Sequence, residues 1–163
     1  MYKYLAIFLL SIIIIFYDHI CVLIYKKSHH IAIENAIRKI DKRNIQIKYI
    51  FDKSTLVAAT NLVDNKPFYY INVTQDSFLT AELIAYHEYM HQNMYPKKYS
   101  KRVEEAIVGI GTYYYSMVEY DTAMQRQCLL ASYPAFEKLT KIEKDTVLAY
   151  NYYNYTHTFI QSN

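Results

Sequence analysis

Near residue 76 the apolar residues change their spacing from two to about 3.6, which confines the chain to a small sheet with helices packed on it. Before that point Ile45, Ile47, Tyr49 and Phe51 alternate with Gln46, Lys48 and Ile50, the pattern of a half-buried strand. TLVAAT at 55–60 and PFYYINV at 67–73 are two further β-rich runs, and Asp64-Asn65 between them supplies turn chemistry. After it, Leu79, Leu83, Ile84, His87, His91 and Met94 share one side of a helix that Asp76 or Ser77 can cap and that has to stop near Pro96. Ser100 can cap a second helix from about Lys101, with Val103, Ile107, Ile110, Tyr114 and Met117 on one stripe. Gly109 and Gly111 weaken its middle or allow close packing. Pro134 separates it from a Tyr-rich helical region reaching about Ile160, and a short amphipathic helix over 28–43 precedes the strands. The expected class is α+β with a three-stranded sheet. A chain of 163 residues with two glycines, three prolines and no polar low-complexity tract has room for one such globular domain and shows no interdomain linker.

The N-terminus has a different character. Leu5 to Tyr17 is uncharged, and apolar residues resume from Ile20 to Tyr25 after Asp18-His19. The first run alone, at about 1.5 Å per residue, covers roughly 20 Å of a hydrocarbon core about 30 Å thick. Both runs together reach a full span. Their Leu, Ile, Phe and Val residues, at about −0.3 to −0.6 kcal/mol each, outweigh one Asp at roughly +3 kcal/mol. Tyr17-Asp18-His19 offers no small-residue cleavage site, so residues 1–27 are expected to form an uncleaved transmembrane anchor ahead of a domain at 28–163. The excess of Lys and Arg after the run leans toward a cytoplasmic domain, with the side left open.

Lys3, Lys26, Lys27 and Asp18 account for most of the charge imbalance, leaving 15 basic and 14 acidic groups beyond residue 27. No basic stripe runs through that part, so no nucleic-acid partner is expected. Cys21 and Cys128 lie far apart in the pattern and read as packing residues.

Inside the helix that follows the strands stands His87-Glu88-Tyr89-Met90-His91, the pattern H-E-x-x-H. Residues i and i+4 are one turn apart, so both imidazoles project from one face and can take two positions on a tetrahedral Zn²⁺. Glu88, about 100° round the helix, can reach water at such an ion.

With this motif the chain resembles the zincin metallopeptidases, and more narrowly the gluzincin-like group; the resemblance covers roughly residues 45–122. It implies a minimal zincin-like domain and a third zinc ligand, a glutamate, on the following helix. The metzincin pattern needs a histidine six residues beyond His91, where Lys97 stands. Three glutamates compete. Val103-Glu104-Glu105-Ala106-Ile107-Val108 resembles the L-x-E-G-L-A segment of gluzincins with Glu105 as ligand, whereas helical phase sets Glu104 nearer the apolar stripe. Glu119 reaches the metal only if Gly109-Ile110-Gly111 breaks the helix and Ser116 starts a new one. The segment departs from the family pattern in having no Asp four residues beyond Glu105 to orient a histidine.

The resemblance implies a zinc peptidase, expected to be an endopeptidase acting on peptide or protein substrates near the membrane. Zinc would be held by His87, His91 and Glu105, with Glu88 as general base. Tyr113, Tyr114, Tyr115 and His157 are oxyanion donors by type, and the 55–60 run can serve as the edge strand to which an extended peptide adds. The alternative is a membrane-tethered binding or inhibitory protein whose zincin fold is degenerate.

Overall fold

The computed structural model describes residues 2–53, 56–75, 77–95 and 98–155, with the backbone alone at 2–10, 15, 18, 22 and 155. Its elements in chain order are α1 (Tyr2–Ile40), β1 (Gln46–Ile50), β2 (Ala58–Val63), β3 (Lys66–Asn72), α2 (Ala81–Asn93), α3 (Lys101–Glu119), α4 (Thr122–Glu137) and α5 (Lys141–Tyr155). The α+β class and the three-stranded sheet agree with the sequence.

The membrane anchor does not. Among the described residues no helix is long and apolar enough to cross a membrane, so the expected N-terminal transmembrane helix and single-pass membrane localisation are withdrawn. Asp18-His19 divides the apolar residues into two pieces, each shorter than the about 20 residues a span needs. Nor is the run a segment of its own. α1 continues without interruption through Lys27-Ser28, absorbing the helix expected at 28–43, and its last turns belong to the domain core, where Ile33 and Ile37 are fully buried.

The sheet has the order β1-β3-β2, with β1 parallel to β3 and β2 antiparallel to it. Asp64 and Asn65, at φ 51° and 59°, form a two-residue hairpin turn between β2 and β3. Left-handed backbone at both positions suits short polar side chains that tolerate it. Along β3, Pro67, Tyr69 and Ile71 point inward, and Tyr69 and Ile71 pack with Ile33 and Ile37 of α1 and with Ala81, Ile84 and Ala85 of α2. The strand expected at 55–60 starts instead at Ala58; Thr55 lies outside the described residues, as does Asp76.

Thr80, and neither residue expected, caps α2: its hydroxyl accepts from the Leu83 amide, while Ser77 accepts from Leu79 one turn earlier. α2 ends at Asn93, and Pro96 lies outside the described residues. α3 runs unbroken through Gly109 and Gly111 and packs on α2, α4 and α5. Two boundaries after it fall elsewhere than expected. The chain turns at Tyr120-Asp121, where Asp121 caps α4, and Pro134 sits inside α4 near its C-terminal end. The last helix is described to Tyr155.

Candidate metal centre

His87 and His91 leave α2 one turn apart, with ring centroids 5.0 Å apart and an interplanar angle of 71°. Seven residues separate the last position of α2 from the first of α3, and α3 brings Glu104 and Glu105 up to the same face. His87, His91 and Glu105 each offer one ligand atom, all within 4.8 Å of one another, a group that could hold a metal ion.

The remaining ring nitrogens explain how the imidazoles are aimed. Thr112 on α3 donates its hydroxyl to the Val108 carbonyl at 2.8 Å, so its oxygen accepts from His87 Nδ1 at 3.3 Å. Glu104 Oε1 lies 2.9 Å from His91 Nδ1. Both contacts place the proton on Nδ1 and leave Nε2 free as a ligand atom. Glu105 Oε2 lies 3.6 Å from His91 Nε2, while donor atoms about 2.1 Å from one tetrahedral ion stand about 3.4 Å apart. That pair already stands close to the spacing a tetrahedral ion asks for, and the third donor lies within 4.8 Å of both.

The three competing glutamates separate cleanly. The Glu105 side chain is 43% exposed and faces the cluster; that of Glu104 is 6% exposed and engaged with His91 from behind. Glu104 thus supplies the orienting carboxylate that the sequence lacked four residues beyond Glu105. Glu119 stands exposed at the far end of the unbroken α3, about 21 Å along its axis from Glu105, and belongs to no metal-holding group among the described residues.

The electrostatics follow from burial and close packing of like and unlike charge. Burial, with His91 beside it, pushes the His87 imidazole down to about 4, against the pull of Glu105. Burial raises the Glu88 carboxyl to about 7, with His91 opposing and Glu105 assisting. His91 is raised, because Glu105, Glu88 and Glu104 together outweigh the effect of burial. The interaction with His91 lowers Glu105 against the effect of burial.

The cluster opens on a cavity of about 230 Å³, lined besides by Leu56, by Ala58, Ala59 and Thr60 of β2, and by Tyr95 and Lys101. β2 is the outer strand of the sheet beside β3, so its second edge is free of strand pairing in the described sheet. Gln92, fully buried, fastens α2 to this strand by donating to Thr60 Oγ1 and the Asn61 carbonyl. Tyr113, Tyr114 and Tyr115, expected as oxyanion donors, do not line the cavity, and Tyr115 stacks on Tyr86; His157 lies outside the described residues.

Sequence reasoning passed over Thr112, Tyr95 and Gln92. Two spacings could have found the first two: Thr112 follows Glu105 by seven residues, two turns along one helix face, and Tyr95 follows His91 by four. Gln92 carries no such signal, because its partners lie on a strand. No family model matches the chain, and comparison with curated proteins and with solved structures returned no match.

Proposed function

We propose that this chain is a zinc-dependent peptidase, as its resemblance to the zincins implies. The reading rests on one observation: the candidate metal group, the buried Glu88 carboxyl and the open edge of β2 all face the same cavity. Two imidazoles and a carboxylate with a coordination position to spare suit Zn²⁺. Bound there, the ion supplies Lewis acidity, polarising a carbonyl and lowering the pKa of water.

The remaining work falls to side chains. An extended peptide adds to β2 along Ala58–Thr60 by main-chain hydrogen bonds, which carries its scissile carbonyl past the cluster. Glu88 takes the proton of the attacking water and passes it to the leaving amine. In the metal-free chain its carboxyl titrates at about 7, close to the pH at which a general base works best. Thr112 and Glu104 engage the Nδ1 side of each imidazole and keep both rings aimed.

Glu88→Gln tests the reading. The variant is expected to bind zinc as the wild type does and to lose peptide hydrolysis by about 100-fold or more, since the base is removed and no ligand is. Assayed on a quenched fluorescent peptide library with zinc content measured in parallel, equal activity in the variant contradicts the mechanism. Zinc binding by a wild-type chain that cleaves nothing would leave a binding protein in its place.

A further inference from the structure

We propose that the Tyr95 phenol donates the hydrogen bond that stabilises the oxyanion formed during peptide hydrolysis at this centre. The inference rests on the peptidase reading. It starts from the inventory of donors around the cavity. The Thr60 hydroxyl already donates to the Phe68 carbonyl at 3.1 Å. Lys101 stands one helical turn before Glu105 and its charge acts on that carboxylate. Among the described residues Tyr95 is the one phenol lining the cavity, four residues beyond His91 and in reach of Asn61 on the edge strand.

The hydrogen bond of Tyr95 to Asn61 is one that can be exchanged cheaply. Its hydroxyl donates to Asn61 Oδ1 at 3.1 Å, and the same oxygen accepts from the Leu62 amide at 2.8 Å. When the phenol turns to a substrate, Asn61 Oδ1 keeps a donor, so no polar group is stranded. A hydrogen bond to an anionic oxygen is roughly twice as strong as one to a neutral amide oxygen. The gain therefore arises as charge develops on the carbonyl, which lowers the barrier more than it tightens ground-state binding.

The step balances. Water oxygen bonds to the carbonyl carbon, the C=O π pair moves onto oxygen, and Glu88 takes the water proton. Tyr95 keeps its own proton while donating to the oxyanion. Collapse restores the C=O bond and breaks the C–N bond, and the leaving nitrogen takes the proton from Glu88.

The test uses the full-length zinc-loaded chain and Tyr95→Phe. Loss of one oxyanion donor is expected to lower kcat by about 100-fold with KM nearly unchanged. Affinity for a phosphinic peptide, which carries the tetrahedral anionic oxygen, should fall by a similar factor, while zinc content and thermal unfolding stay at wild type. Asn61→Ala breaks the same hydrogen bond and keeps the phenol. Equal losses of phosphinic-peptide affinity in the two variants would make Tyr95 a strut for β2 and overturn the proposal. Unchanged kcat in Tyr95→Phe overturns it too, and a rise would mark the Tyr95–Asn61 contact as a clasp over the cleft. A wild-type chain that cleaves no peptide overturns the peptidase reading itself, and this inference with it.

Discussion

Asp41, just beyond the last turn of α1, is 2% exposed and accepts four hydrogen bonds: from the Tyr69 hydroxyl at 2.6 Å, and from the Arg43 amide, Nε and Nη2. The Arg43 guanidinium also lies 5.8 Å from the centroid of the Tyr89 ring, inside H-E-x-x-H, so one carboxylate joins α1, β3 and the helix that carries the metal group. Burial alone would raise its pKa; the bonds from Arg43 and Tyr69 outweigh that and hold it below 3.8. A depressed carboxylate contributes stability above its ordinary pKa that is lost as pH falls through the folded value. Asp41→Asn is therefore expected to cost about 2–3 kcal/mol at neutral pH. Urea unfolding at a series of pH values should show wild type and variant converging in acid below pH 3.8, and a gap that stays constant into acid contradicts this. At this scale the sequence was legible where spacing alone decides: His87, Glu88 and His91 need only one helix. The division of labour between Glu104 and Glu105 was not legible, because it depends on how α3 is rotated against α2. The apolar stripe of Val103, Ile107 and Ile110 packs with Met90 and Met94 of α2 and Val147 of α5, which carries Glu104 inward and leaves Glu105 at the cavity.

Between elements, Gly111 is a point of close approach between α3 and its neighbours. A Cβ there would lie 2.7 Å from Asn151 Oδ1 on α5 and press on the end of Met90 from α2. Asn151 has no freedom to retreat, because it is 2% exposed and donates to the Ile107 and Val147 carbonyls at 3.0 and 3.1 Å. Gly111→Ala gains about 1 kcal/mol of helix propensity. Overpacking costs about 1–3 kcal/mol. The expected net result is a protein up to about 2 kcal/mol less stable, with the urea m-value unchanged. A more stable variant would show that the interface yields. Helices and strands were legible from their period; their ends were not. Thr80 caps α2 in place of Asp76 or Ser77, and α3 passes two glycines that mark close approach of neighbouring helices and no break in α3. Pro134 is tolerated inside α4, so the end of α3 had to be read from Asp121, a good cap whose signal is local.

Over the whole molecule, α1 was misread because an apolar run was weighed by composition, while its last turns are held by burial of Ile33, Ala36 and Ile37 against the sheet and α2. The amphipathic spacing over 28–43 marks that face, but what it packs against is set by contacts between residues far apart in the chain. The same long-range packing sets α2 between β2 and α3 and so brings the two imidazoles to Glu105. The central claim is that this group holds one metal ion. It is tested most directly by zinc stoichiometry after dialysis for the wild type, Glu105→Ala, Glu104→Gln and Glu119→Ala. One zinc per wild-type chain is expected, lost in Glu105→Ala, retained at about 10- to 100-fold weaker affinity in Glu104→Gln, and unchanged in Glu119→Ala. A wild-type chain free of zinc, or a Glu105→Ala chain that keeps it as tightly as the wild type, would contradict the account.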